Sequence, residues 1–150
     1  MKSLAPLATS LAAYLGLAAW LHAAAWADAP ADRYKIDAAT SEVTDRRTGL
    51  VWQHPISPSF YAWDAATTYC RGLRSGALAF RLPSFKELIS LVDPMRRMPA
   101  LDVRAFPNAS SELYWTASNR SMLGPAAVSF VDGSSTFYKA TDSLRVRCVR

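Results

Sequence analysis

The chain has little of what most catalytic sites are built from. Of its 150 residues only two are cysteine, Cys70 and Cys148, and only two are histidine. No Cys-x-x-Cys pair occurs, so the usual spacing of a zinc site is missing. His22 lies in the apolar N-terminal run, which leaves His54 as the one histidine beyond it. A Ser/His/Asp triad would have to use His54, but the Pro-flanked segment His54-Pro55-Ile56-Ser57-Pro58 carries no nucleophile motif and reads as surface loop. The six glycines form no phosphate-cradling loop. No internal repeat or low-complexity tract appears after the apolar N-terminal run. A composition of 51% hydrophobic against 19% charged residues excludes intrinsic disorder and a polybasic nucleic-acid tail.

What is present begins with an uneven distribution of apolar residues. Residues 1–27 hold 20 of them, and the remainder of the chain is about 46% apolar, an ordinary composition for one folded domain. Lys2 is the only charge before Asp28, Leu4 to Leu21 is rich in Leu and Ala, and Ala25-Trp26-Ala27 places small residues where a secretory cleavage site needs them. The expectation is a signal peptide over 1–27 and a single domain over 28–150, exported to the periplasm, the cell surface or the medium. The alternative is an uncleaved anchor, because the run approaches the roughly 20 residues that span a bilayer. The formal charge of +5 becomes +4 once Lys2 is removed. Export gives the cysteines a meaning: an isolated pair in an oxidising compartment most simply forms one disulfide, with a metal or redox role as the rival.

Along the rest of the chain, residues 33–36, 42–45 and 50–53 are short segments separated by turn compositions, which predicts a small antiparallel meander. Ala62, Ala66, Tyr69 and Leu73 recur at helical steps, predicting a helix over 59–73 with Cys70 in its last turn. Ser84-Phe85-Lys86-Glu87 is a capping box, so Glu87 is read as a cap rather than a catalytic acid. A second helix follows, with Phe85, Leu88, Leu91 and Val92 as its stripe and Pro94 as its stop. Residues 94–125 show no sustained period and are expected as a long functional loop region with strand character only at Leu113–Thr116. A hairpin is expected from 126–131 and 136–140 around Asp132-Gly133, then a last strand over 144–150. In that strand Leu144, Val146 and Cys148 share the inner face, while Arg145, Arg147 and Arg150 form a solvated one. The sum is an α+β domain, helices flanking antiparallel sheets.

Seven blocks occur in order: Thr44-Asp45-x-x-Thr48-Gly49-Leu50-Val51-Trp52; Trp63-Asp64-Ala65-Ala66-x-x-Tyr69-Cys70-x-x-Leu73; Arg81-Leu82-Pro83-Ser84-x-x-Glu87-Leu88-x-x-Leu91-Val92-Asp93; Phe106-Pro107-Asn108; Tyr114-Trp115-Thr116-Ala117-Ser118; Phe130-x-Asp132-Gly133; and Val146-Arg147-Cys148-Val149-Arg150. Over roughly residues 33–150 this resembles the family built on the C-terminal domain of the Legionella collagen-like adhesin. The resemblance implies a C-type-lectin-like fold related to the formylglycine-generating-enzyme group. It also implies pairing of a cysteine late in the first helix with one in the last strand. Trp52, Trp63 and Trp115 become framework residues, Trp115 the more open of the three, and Arg81 is expected to have a buried structural partner. The family's usual Asp-Trp pair before Arg-Leu-Pro reads Ala79-Phe80 here, and no collagen-like repeat precedes the domain, so the adhesin's stalk and trimerising role do not carry over.

The formylglycine-generating relatives use cysteines as metal ligands, and here both cysteines fall at the disulfide positions. The calcium-dependent sugar signature of true C-type lectins is also missing, so no cofactor, no metal and no enzyme activity are expected. What remains is a binding surface. Arg96, Arg97, Arg104, Arg120 and Lys139 lie in or near the loops, and with Trp115 they are the candidate ligand-binding residues. Arginine forks suit sulfate and carboxylate groups, although the same side chains would equally serve to solubilise exposed loops. The expected partner is a sulfated or acidic polysaccharide or an envelope protein. The alternatives are a divergent modifying enzyme of the formylglycine-generating type and a structural subunit of an envelope assembly.

Overall fold

A computed structural model describes residues 32–75 and 77–150. The expected leader and the cleavage position after Ala27 lie outside the described residues. The meander forms as its turns dictate: strands β1 (Tyr34–Asp37), β2 (Glu42–Asp45) and β3 (Val51–Gln53) pair antiparallel in that order. Asp37 closes the first turn by accepting the Ala39 and Thr40 N–H groups. Gly49 closes the second, in the left-handed conformation (φ 74°) that a β-carbon would disfavour.

Helix α1 spans Trp63–Gly72, four residues shorter at its start than the periodicity predicts. The cause is tertiary: the Tyr61 N–H and C=O both pair with Leu144, at 2.8 and 3.1 Å, holding the chain extended up to Ala62. Strands β4 (Arg74–Ser75) and β5 (Leu78–Ala79) form a small hairpin. Helix α2, Phe85–Ile89, starts at the predicted capping box, with both reciprocal hydrogen bonds made by Ser84 and Glu87. It is only five residues long; Ser90 and Leu91 follow in a turn, and Val92 lies beyond it.

The largest departure concerns residues 94–125. Strand β6 runs from Leu113 to Arg120 and β7 from Gly124 to Ser129, with β8 (Ser135–Phe137) completing an antiparallel sheet in the order β6-β7-β8. The expected loop therefore includes a long hairpin. Its register shifts between Trp115 and Asn119, which breaks the two-residue alternation that would have shown it in the sequence. Residues 94–112 do lack regular structure, yet they bury Leu101, Ala105 and Phe106.

The C-terminal residues 144–150 join these parts as a series of bridges rather than as one continuous strand: Leu144 to Tyr61, Arg145 to Tyr114, and Val149 to both Trp52 and Arg81. The Cys70–Cys148 disulfide fastens this segment to α1. Strand β7 and the Tyr114–Thr116 part of β6 are buried on both sides, so burial does not alternate along them, while β6 from Ala117 to Arg120 is largely exposed. Tyr114 and Val128 face a core containing Trp52, Leu88, Phe106 and Phe130. Trp115 and Ala127 face a second core around Ala66, Phe80, Leu82 and the disulfide.

Candidate functional site

Two of the expected surface features are interior. Trp115 is fully buried and donates its indole N–H to the Tyr61 carbonyl at 2.7 Å, so it offers no face to a ligand. Its strand leads into polar residues, but the chain segment of Tyr61 and Tyr138 cover the ring. The last arginines do not form a solvated face. Arg147 is fully buried, Arg145 pairs with Glu112 at 2.7 Å, and Arg150 reaches both Glu42 oxygens at 3.0 and 2.9 Å. Arg81 is the converse case: its side chain is about half exposed and grips Glu87 through both nitrogens at 2.8 and 2.6 Å. His54 is half-buried instead of lying on an open loop. Trp52 is fully buried, and Trp63 is half-buried with its indole N–H on the Thr116 carbonyl. Phe80, at the position of the missing tryptophan, keeps its place in the core, while Ala79 is exposed.

The loop cations fall into separate places. Arg96 sits against Asp93 at 3.3 Å, and Arg104 holds both Asp102 oxygens at 3.1 and 2.8 Å. Arg97 is exposed and donates to the Asp132 carbonyl at the β7–β8 turn. Arg120 stands at the other end of β7, beside the β6–β7 turn, about 17 Å away by strand rise. Lys139 follows β8 at that same end, since the Tyr138 N–H donates to the Pro125 carbonyl. The structure therefore groups Arg120 with Lys139 and leaves Arg96, Arg97 and Arg104 apart from them.

Arg120 belongs to a cleft of about 570 Å³ between the start of α2 and the face of the β6–β7–β8 sheet. The capping box fixes the start of α2, and the Phe85 N–H donates to the Ser118 hydroxyl at 3.0 Å, locking helix to sheet. The Ala117 N–H adds a bond to the Pro83 carbonyl at 2.6 Å. Ala126 pairs in register with Phe137, so the small residue leaves a floor beside the ring. Phe85 and Phe137 give the cleft apolar walls, Ser118, Asn119 and Thr136 give it hydroxyl and amide groups, and Lys86 and Arg120 give it positive charge. No carboxylate is among its lining residues. The Arg120 guanidinium lies 5.7 Å from the centre of the Phe137 ring. A second cleft of about 480 Å³, lined by Phe60, Val131 and Tyr138, includes Glu112.

The carboxylates near the framework are already engaged. Hydrogen bonds from Arg81 pull the Glu87 carboxyl down to about 2, against the opposing effect of burial. Burial pushes Asp45 up, but hydrogen bonds from the Arg33 guanidinium and the Arg47 N–H outweigh it and hold the group below its ordinary range. The hydrogen bond from Arg104 lowers Asp102 in the same sense. These carboxylates are each held by a neighbouring arginine: Asp45 by Arg33, Glu87 by Arg81 and Asp102 by Arg104. Both cysteines are consumed by the disulfide, and no group of three or more His, Cys, Asp or Glu side chains placed to hold a metal occurs among the described residues.

Lys86, Phe85, Ser118, Asn119, Thr136 and Phe137 were not singled out from the sequence as ligand-facing. Three separated segments supply them, and only sheet register and the seating of α2 bring those segments together. Lys86 carries one signal, its place inside the capping box before Glu87, and that motif has a sufficient structural explanation of its own.

The sequence model of a family described as the Lcl C-terminal domain matches residues 41–150. No curated protein and no solved structure matches the chain.

Proposed function

The chain belongs to the Lcl C-terminal domain family, an adhesin-associated domain, and on that premise we propose that it is an exported, non-enzymatic binding module with a C-type-lectin-like fold whose cleft beneath α2 takes an anionic glycan. The observation that carries this reading is the cleft's composition. Two aromatic residues, Phe85 and Phe137, line it for the apolar side of a sugar, and hydroxyl and amide groups meet its hydroxyls. Lys86 and Arg120 meet sulfate or carboxylate with no lining acid to oppose them. The disulfide supports export, because such bonds persist in oxidising compartments. With neither cysteine free, a binding role is favoured over cysteine-based modifying chemistry.

The test is salt-gradient elution from a heparin column. The wild-type protein is retained at low salt, and K86A/R120A elutes markedly earlier, while R96A/R97A, altered at the far end of β7, elutes with the wild type. Elution of K86A/R120A with the wild type would sink the assignment to this cleft.

A further inference from the structure

The β6–β7 turn carries an apolar tip that the fold does not use. Met122 is 94% exposed and Leu123 is 55% exposed, side by side at the end of a hairpin. The tip is held in place: the Leu123 N–H donates to the Arg120 carbonyl at 2.9 Å, closing the turn. Gly124 follows at φ 87°, packed so closely against the Tyr138 carbonyl that a β-carbon would collide with it. Neither apolar side chain belongs to either core cluster. Around the tip stand exposed cations. Arg120 opens the turn, Lys139 lies one residue beyond Tyr138, which pairs with Pro125, and Lys86 lines the adjoining cleft with Arg120. Of the acids near this end, Asp142 accepts the Lys139 N–H at 3.0 Å, and Asp64 follows Trp63, whose N–H donates to the Ala140 carbonyl.

An exposed Met-Leu pair ringed by lysine and arginine has the chemistry of a lipid surface: apolar side chains enter the boundary between headgroups and acyl chains, and cations meet headgroup phosphates. Scattered single hydrophobes need no such reading. Here the two residues are adjacent and exposed, with the cations Arg120 and Lys139 beside them. We propose that the β6–β7 tip docks the domain on an anionic phospholipid bilayer, with Met122 and Leu123 in the interface and Arg120 and Lys139 on the phosphates. Met122 and Leu123 lie outside the glycan cleft, whereas Arg120 serves both surfaces, so it is the M122S/L123S variant that separates the two binding events.

The experiment is co-sedimentation of the purified protein with vesicles of phosphatidylcholine alone or with about a third phosphatidylglycerol. The wild-type protein binds the anionic vesicles at low salt and not the neutral ones. M122S/L123S lowers the partition about tenfold, and R120Q/K139Q lowers it about tenfold as well and flattens its salt dependence. Both tip residues are solvent-exposed, so the serine variant folds as the wild type does, which its unchanged melting temperature checks. It also keeps its elution position on heparin. No binding to anionic vesicles, or binding that M122S/L123S retains, overturns the proposal. So does self-association in sedimentation velocity that the serine variant abolishes without any vesicle binding, since the tip would then meet a second copy.

Discussion

The Arg147 guanidinium lies 4.6 Å over the Phe106 ring, fully buried, with no carboxylate paired to it among the described residues. Its Nη1 donates to the Gln53 and His54 carbonyls at 2.8 and 3.1 Å. Burial lowers its pKa, with the Tyr114 phenol drawing it part of the way back. A cation so placed ties the C-terminal segment to the residues around the end of β3 through carbonyls and a ring face. Truncation leaves two carbonyls without that donor and a void beside Phe106. R147A therefore loses about 3 kcal/mol or more of stability in urea unfolding. R147M keeps the volume and removes the desolvated charge, so its loss is nearer 1 kcal/mol. Equal losses would show that volume is not what distinguishes the two variants.

The Cys70–Cys148 bond closes a separation of 78 residues and is fully buried between α1 and the C-terminal segment. In the chain-entropy account a loop of that length contributes about 4 kcal/mol by constraining the unfolded chain. The C70A/C148A variant is thus expected to lose stability on that scale, read by urea unfolding at pH 7. Reductant added to the native protein acts slowly, because attack on a buried disulfide requires prior opening of the fold.

Acid weakens the fold through Glu87, Asp45 and Asp102. Each has a carboxyl pKa held below its ordinary value, Glu87 at about 2 through its hydrogen bonds from Arg81. A depressed folded pKa means stability that is fully present above the unfolded value, near 4.5 for Glu87, and lost as pH falls toward 2. Melting temperature therefore drops between about pH 4.5 and 2. E87Q lowers the melting temperature at pH 7, removing the capping-box carboxylate and the Arg81 pair together, and it shallows the acid limb. An acid limb as steep in E87Q as in wild type would remove Glu87 from this account.

Where one short segment determines the outcome, the sequence carries it. The capping box at Ser84 and Glu87, the meander of β1 to β3 and the cysteine pair all depend on nearby chemistry or on elimination. Features set by distant contacts were not legible. Helix α1 starts late because Leu144 claims Tyr61. The β6 strand extends to Arg120 across a register shift that hides its period. Arg147 alternates with Cys148 as a strand residue should, but both sides of its segment are covered, so alternation says nothing about exposure. The cleft was invisible for the same reason: Phe85, Asn119 and Phe137 become neighbours only through packing.

Gly124 fixes where the hairpin tip points. Its positive φ and its contact with the Tyr138 carbonyl both exclude a side chain. G124A costs about 1–3 kcal/mol from backbone strain alone. Because the Tyr138–Pro125 bond adjoins it, the variant also displaces Arg120 relative to Phe137. Both heparin retention and vesicle binding then fall, whereas M122S/L123S lowers vesicle binding alone. Thermal unfolding and the two binding assays on one preparation check this.

Phe137 tests whether the cleft recognises a ring or only a charge. The residue is half-buried, pairs in register with Ala126 and lies under the Arg120 guanidinium. If anionic groups alone were bound, replacing the ring while keeping the cations would leave affinity for a sulfated polysaccharide unchanged. A sugar face stacked on the ring instead makes F137A about five- to tenfold weaker, the equivalent of about 1 to 1.4 kcal/mol. F137L restores apolar volume but not the ring face, so it recovers only part of that loss. The comparison is read by calorimetric titration with a sulfated oligosaccharide at fixed salt, where loss of stacking leaves the salt slope as it is and loss of Arg120 reduces it.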